Sequence, residues 1–340
     1  MAKDRKMIQS YAFRNRDGLL GIFQREDDTV HLYIDTEYST YACRNWKEWT
    51  QQAESETDKR FAGGDITKPT EKSIYYYLLQ FCEDINIDVL DLVEVKEPGF
   101  FFSRISKGNF RFNYLGDSYY QEIRAYQAIQ NTLDSLLYVV EPSETNFNSY
   151  GHKIRELLIL ACTEVEYLLL RVLMENGYPK RKTYKTNDYI HCLPILKLNE
   201  YKVILGQYPN LKVFEPFANW HSSSATQTLE WYDAYNSVKH NRGGSLEKAN
   251  FKHLLDAIAA IHILLEAQYG KNVFHKWTQY KEAKSVFETV SRPCWNPSEI
   301  SVPIFSGYRL NANWIGAMQY FACHPIATKP PKPKCLTCGK

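Results

Sequence analysis

The hydrophobic pattern of the chain changes period near residue 118. Upstream, apolar residues come in short runs broken by charged or glycine-containing turns. The stretch 18–35, "GLLGIFQREDDTVHLYID", sets two apolar runs around a charged turn and predicts a β-hairpin. The stretch 99–115, "GFFFSRISKGNFRFNYL", predicts a second, with Lys107-Gly108 at its turn and Phe110, Phe112 and Tyr114 on one face by period-two alternation. Between them, residues 45–72 are polar, with a loop predicted in their second half, and 73–85, "SIYYYLLQFCEDI", predict a short helix.

Downstream the spacing is helical. Residues 118–140 carry apolar positions three and four apart, and Ser118 with Gln121 forms a capping-box pair at their start. The longest helix is predicted over about 150–176, ended by Asn176-Gly177 and a proline. A less regular stretch, 177–228, holds a short helix around "NDYIHCLPILKL". Another helix is predicted over 229–241, stopped by Gly243-Gly244. Ser245 is the expected cap of a last, strongly apolar helix that runs to Gly270. The fold class expected is α+β: a small mixed region over 1–115, a predominantly helical bundle over 118–270, and an irregular extension over 271–340 with a basic, proline-rich tail.

Composition narrows this picture. With 340 residues, 44% hydrophobic and 24% charged, the chain reads as globular and large enough for a real core. A net charge of +2 does not attract nucleic acid by bulk electrostatics, so any such binding needs a local basic patch. The two most apolar stretches are interrupted by Glu164, Glu166 and Arg171, and by Asp256, His262 and Glu266, which argues against membrane spans. Eight scattered cysteines and a charged first ten residues fit a reduced, cytoplasmic protein.

The candidate chemistry lies in 231–244, "WYDAYNSVKHNRGG", where Lys239, His240 and Arg242 crowd the end of a helix. Cations there complement the helix dipole, and the glycines end the helix. The same residues also suit RNA cleavage without metal. A histidine can move a proton at a ribose 2′-hydroxyl while a guanidinium stabilises the phosphorane. The buried helix over 150–176 carries Arg155, Glu164, Glu166 and Arg171, whose charges need partners. Eleven residues apart, Arg155 and Glu166 lie within about 20° around the helix, and Glu164 and Arg171, seven apart, share another face.

The order "GHKIRELLILACTEVEYLLLRVLMENGY", an irregular middle, "WYDAYNSVKHNR" and a long apolar helix resembles uncharacterised bacterial members of the HEPN-like helical superfamily over 118–270. The resemblance implies a helical bundle that dimerises, and for many members RNA cleavage in defence or toxin–antitoxin systems. Active members carry an arginine, then four to six residues, then a histidine near the end of a helix. Here the nearest arginine, Arg242, follows His240 instead; the spacing itself occurs only from Arg25 to His31, in the first hairpin. Two functions follow as expectations. In the first, a metal-independent endoribonuclease, His240 transfers the proton and Lys239 and Arg242 hold the phosphate. Glu164 or Glu166 orients the cations, and Arg155 and Asn236 help to bind. In the second, the bundle is a non-catalytic interaction module, and the same residues form a structural network. The partners expected are RNA, another protein or a second copy of the chain, and no cofactor is required.

Two metal sites are weaker alternatives. Cys323 or His324 with Cys335 and Cys338 would supply zinc ligands. His253, Asp256, His262 and Glu266 lie along one helix, with His262 and Glu266 four apart. In the second hairpin, Arg104, Lys107 and Arg111 interleave with aromatics; that pattern makes either a stacking platform for single-stranded nucleic acid or the core face of a sheet. "AGGDITK" lacks the phosphate-loop spacing, and no serine nucleophile elbow is present.

Overall fold

The computed structural model describes residues 8–15, 20–26, 29–34, 37–42, 89–94, 104–106, 117–240, 244–271, 273–274, 283–299, 320–323 and 326. The described fold is α+β, with helices packed together and two antiparallel sheets.

Seven α-helical segments are described. They are α1 (Asp117–Leu137), α2 (His152–Glu175), α3 (Thr186–Tyr189), α4 (Cys192–Leu196), α5 (Glu230–His240), α6 (Phe251–Tyr269) and α7 (Tyr320–Cys323). Helix α6 is central: seventeen of its nineteen residues are buried, so neighbours cover it on every side. Ala257, Ala259, Ala260 and Ala267 let those neighbours approach closely, and α2 and α5 pack along it. On α1 the buried residues Tyr119, Ile123, Tyr126, Ile129 and Leu133 recur at helical spacing and form its inner stripe.

Helix α2 ends as its sequence suggests. Gly177 takes a φ of 77°, the Tyr178 N–H reaches the Leu173 carbonyl at 2.9 Å, and the Gly177 N–H reaches Met174 at 3.3 Å. These two bonds make a Schellman motif, which favours glycine because the left-handed position crowds a Cβ. Two predicted caps are corrected. Helix α1 already begins at Asp117, which places Ser118 inside it. Ser245 only precedes a 3₁₀ turn over Leu246–Lys248, and α6 is capped by Asn250, whose side chain accepts the His253 N–H at 3.0 Å. The turn lifts the chain by five residues before α6 begins, moving the cap to the next available Asx residue.

The first sheet has the order β4-β3-β2-β1-β5, built from β1 (Ile8–Asn15), β2 (Leu20–Glu26), β3 (Thr29–Ile34), β4 (Glu37–Ala42) and β5 (Val89–Glu94). The predicted hairpin is β2–β3, with Glu26 opposite Thr29. Strands β1 and β5 extend the sheet on the β2 side and β4 on the β3 side. Gly21 stands opposite Phe13 in the register, and a Cβ there would meet the Phe13 ring at 1.9 Å. The absence of a side chain lets that ring lie across the strand.

The second sheet joins β6 (Lys202–Leu205), β7 (Val213–Phe214) and β8 (Phe287–Ser291) in the order β7-β6-β8. Residues 287–291, expected to be irregular, are therefore an edge strand paired with the helical region. Of the predicted second hairpin only 104–106 is described, and these residues are not in a strand; Lys107 and Arg111 lie outside the described residues. The predicted helix over 73–85 also lies outside them. No helix among the described residues is long and apolar enough to cross a membrane.

Candidate functional site at the end of α5

Helix α5 turns Trp231, Tyr232, Ala234, Tyr235 and Val238 inward and carries Glu230 and Asp233 in its first turn, where acids complement the dipole. The Trp231 indole donates to the Pro216 carbonyl at 2.9 Å and anchors the start of the helix. Its other end meets α2, which runs antiparallel beside it. Arg155 Nη2 donates to the Val238 carbonyl at 3.2 Å, with Nε at 3.4 Å. Arg155 thus satisfies a carbonyl in the last turn of α5, where helices leave acceptors unpaired.

Glu166, eleven residues on, accepts the Tyr232 hydroxyl at 2.5 Å. The shared face of Arg155 and Glu166 that helix geometry predicts is therefore the face toward α5. Burial and then this carboxylate push the Tyr232 phenol far above its ordinary value, so it stays a donor. Cys162, one turn before Glu166, is fully buried, and burial followed by the Glu166 charge holds its thiol well above the usual range. It is inert as a nucleophile.

Lys239 is exposed but not idle. Its ammonium donates to the Tyr235 hydroxyl at 2.7 Å and stands 4.9 Å from that ring's centroid, four residues back on the same helix. The hydrogen bond to Tyr235 is the main reason its pKa is raised. His240 closes the helix, and its side chain lies outside the described residues, as does Arg242. Asn236 is half-buried on α5.

Glu164 is not part of this assembly. It faces α1, beside the buried carboxylate of Glu122, on the side of α2 opposite to Glu166's. Burial, then the Glu122 charge, raises its carboxyl to about 7. Its Oε1 is buried without a hydrogen-bond partner among the described residues. Of the two carboxylates expected to orient the cations at the end of α5, only Glu166 lies on the α5 side of the helix, because two residues of helix turn the side chains by about 200°.

A second buried ion network, which the sequence pattern did not predict, centres on Arg104 and Glu122. Arg104 Nη2 donates to both carboxylate oxygens of Glu122, at 2.7 and 2.8 Å, and Nε donates to Gln268 Oε1 at 2.8 Å. The Tyr269 hydroxyl donates to Glu122 at 2.6 Å, and Glu175 stands 4.0 Å from Arg104 while pairing with Arg171. A signal was available: Glu122 falls in the inner stripe of α1 between Tyr119 and Tyr126, and a charge there requires a partner. Arg104 is 6% exposed, so it belongs to the core and not to a stacking platform.

The remaining sequence candidates separate. Arg25 and His31 sit on paired strands, Arg25 opposite Val30 and His31 opposite Gln24, within the first sheet. His253 pairs its ring with the Lys248 carbonyl, Asp256 lies 3.7 Å from Lys252, and His262 and Glu266 sit further along α6. No group of three or more His, Cys, Asp or Glu that could hold a metal ion occurs among the described residues. His324, Cys335 and Cys338 lie outside them, and Cys323 is described only as the last residue of α7. Comparison with protein-family models, with curated proteins and with solved structures finds no match.

Proposed function

We propose that the helical region is a HEPN-like interaction module that does not cleave RNA. One observation carries this reading: three residues of the predicted site at the end of α5, Arg155, Glu166 and Lys239, have partners inside the bundle. Arg155 holds the Val238 carbonyl, Glu166 holds the Tyr232 hydroxyl, and Lys239 holds the Tyr235 hydroxyl. A general acid–base site keeps its groups free to face substrate, whereas these stiffen the junction of α2 with α5. On this reading the bundle presents a surface to another protein or to a second copy of the chain, in the bacterial defence setting that the resemblance implies.

The nuclease reading keeps one observation in its favour. Arg155 and Lys239 converge on the end of α5, directly before His240 and Arg242, so phosphate would meet positive charge there. The test is incubation of purified full-length protein with total RNA in EDTA, beside His240→Ala and Arg242→Ala variants whose folding is checked by circular dichroism. The module reading expects intact RNA in all three. Cutting by the wild type that both folded variants lose would overturn it and make the end of α5 a metal-independent nuclease centre.

A further inference from the structure

Helix α2 has a third face, between the α1 side that carries Glu164 and the α5 side that carries Arg155 and Glu166. Lys153, Glu156, Leu160, Tyr167 and Arg171 form a stripe along it, all within about 60° of one another around the helix axis. Leu160 is 56% exposed and Tyr167 38%. A single exposed leucine would carry no message. These two stand seven residues apart, in line along the helix, with no charge between them in the stripe.

The charges lie at the two ends of the stripe, and their order is informative. Lys153 pairs with Glu156 at 2.9 Å at the N-terminal end, and Arg171 pairs with Glu175 at the other. Turned end for end about a two-fold axis midway between Thr163 and Glu164, the stripe complements itself. Leu160 and Tyr167 are equidistant from that axis and so face each other across it. Glu156 and Arg171 are likewise equidistant, and Lys153 comes beside Glu175. A parallel arrangement would instead set Glu156 against Glu156 and Arg171 against Arg171, which is repulsive.

No existing pair has to break. Glu156 holds Lys153 through Oε2, and Arg171 holds Glu175 through Nη2. A carboxylate has a second oxygen and a guanidinium has further donors, so each can serve a second partner. Each end of the seam then alternates two cations with two anions and is neutral, around an apolar middle. The helix itself is fixed from behind by ten buried residues, so little freedom is lost on docking.

We infer that this face of α2 docks against the same face of a second copy of the chain. The two helices run antiparallel, Leu160 of each against Tyr167 of the other and Glu156 of each on Arg171 of the other. The inference rests on the interaction-module reading for there being a partner, and it names that partner and its surface. A seam about 27 Å long is at the small end of stable interfaces, so the dimer is a reversible one of micromolar affinity.

Sedimentation equilibrium of the full chain from about 1 to about 200 µM tests this, beside the variants Leu160→Glu, Glu156→Arg and Arg171→Glu checked for folding by circular dichroism. The expected result is a wild-type dimer, weakened at least about tenfold in each variant. Mixing Glu156→Arg with Arg171→Glu in equal amounts should restore it, because every arginine at these positions then faces a glutamate of the other copy. Mixing does not repair a lost fold, so this is the deciding arm. Leu160 and Glu156 are exposed, so their variants keep the test open should Arg171→Glu unfold. A monomeric wild type, a dimer that the folded variants leave intact, or a mixture of folded variants no more dimeric than its components would overturn the surface. The RNA assay in EDTA decides the module reading separately: a monomeric wild type that leaves RNA intact removes this surface and keeps that reading.

Discussion

The two sides of α2 solve the same problem differently. Toward α5, Arg155 and Glu166 meet uncharged partners, a backbone carbonyl and a phenol. Toward α1, charge meets charge in a buried network of Arg104 and Glu122 tied to Tyr269 and Gln268, with Glu164 beside it lacking a hydrogen-bond partner at Oε1 among the described residues. Charges satisfied by neutral dipoles near a helix end can lose a partner at modest cost, because water reaches part of the site. A desolvated ion network cannot, because removing one member leaves another buried and uncompensated. The α1 side is therefore where the bundle is most vulnerable, and the α5 side is where it tolerates change.

Breaking the ion network should give the largest effect. Arg104→Met is expected to destabilise the chain by about 3–5 kcal/mol in urea unfolding, and adding Glu122→Leu should restore most of that. A double variant as unstable as the single one would mean that packing, and not the stranded carboxylate, dominates. On the α5 side Tyr232→Phe removes a charge-accepting hydrogen bond and should cost about 2 kcal/mol. A cost as large as that of Arg104→Met would erase the contrast between the two sides.

Glu164 sharpens the comparison through pH. Its carboxyl is raised from 4.5 to about 7, so between those values the folded chain keeps a proton that the unfolded chain has lost. Its contribution to stability therefore falls as pH rises through that window and is level above it. Glu164→Gln should remove this slope and be more stable than wild type by about 1 kcal/mol at pH 8, with solvent screening at the half-exposed group limiting the gain. The two should match near pH 4, and parallel pH profiles would refute the shift. The smallest change is expected for Lys239→Ala: a few tenths of a kcal/mol, since its ammonium is exposed and bonded to one phenol on its own helix.

The helices were legible because their signals are local. Asn176-Gly177 announced the end of α2, and the spacing of Arg155 and Glu166 announced a shared face. The cap of α6 was misread because Ser245 and Asn250 both suit that role, and only the intervening 3₁₀ turn decides between them. Strand β8 was not seen, because its five residues pair with β6 more than eighty positions earlier and carry no turn signal that points there. The partners of Glu122 were hidden for the same reason. Its place on the inner face of α1 could be read locally, but Arg104 and Tyr269 arrive from opposite ends of the helical region.

That arrival has a consequence for the order of synthesis. The bond from Arg104 to Gln268 closes a loop of 164 positions, and Ser106 docks its N–H on Ala267 beside it at 3.0 Å. While the chain grows from its N-terminus, α1 and α2 emerge with their inner stripes uncovered long before α6 exists to receive them. Such long-range closure is slow compared with helix formation. The nascent chain therefore passes through an extended interval in which two amphipathic helices are formed but unhoused, the period in which a holdase would have most to bind.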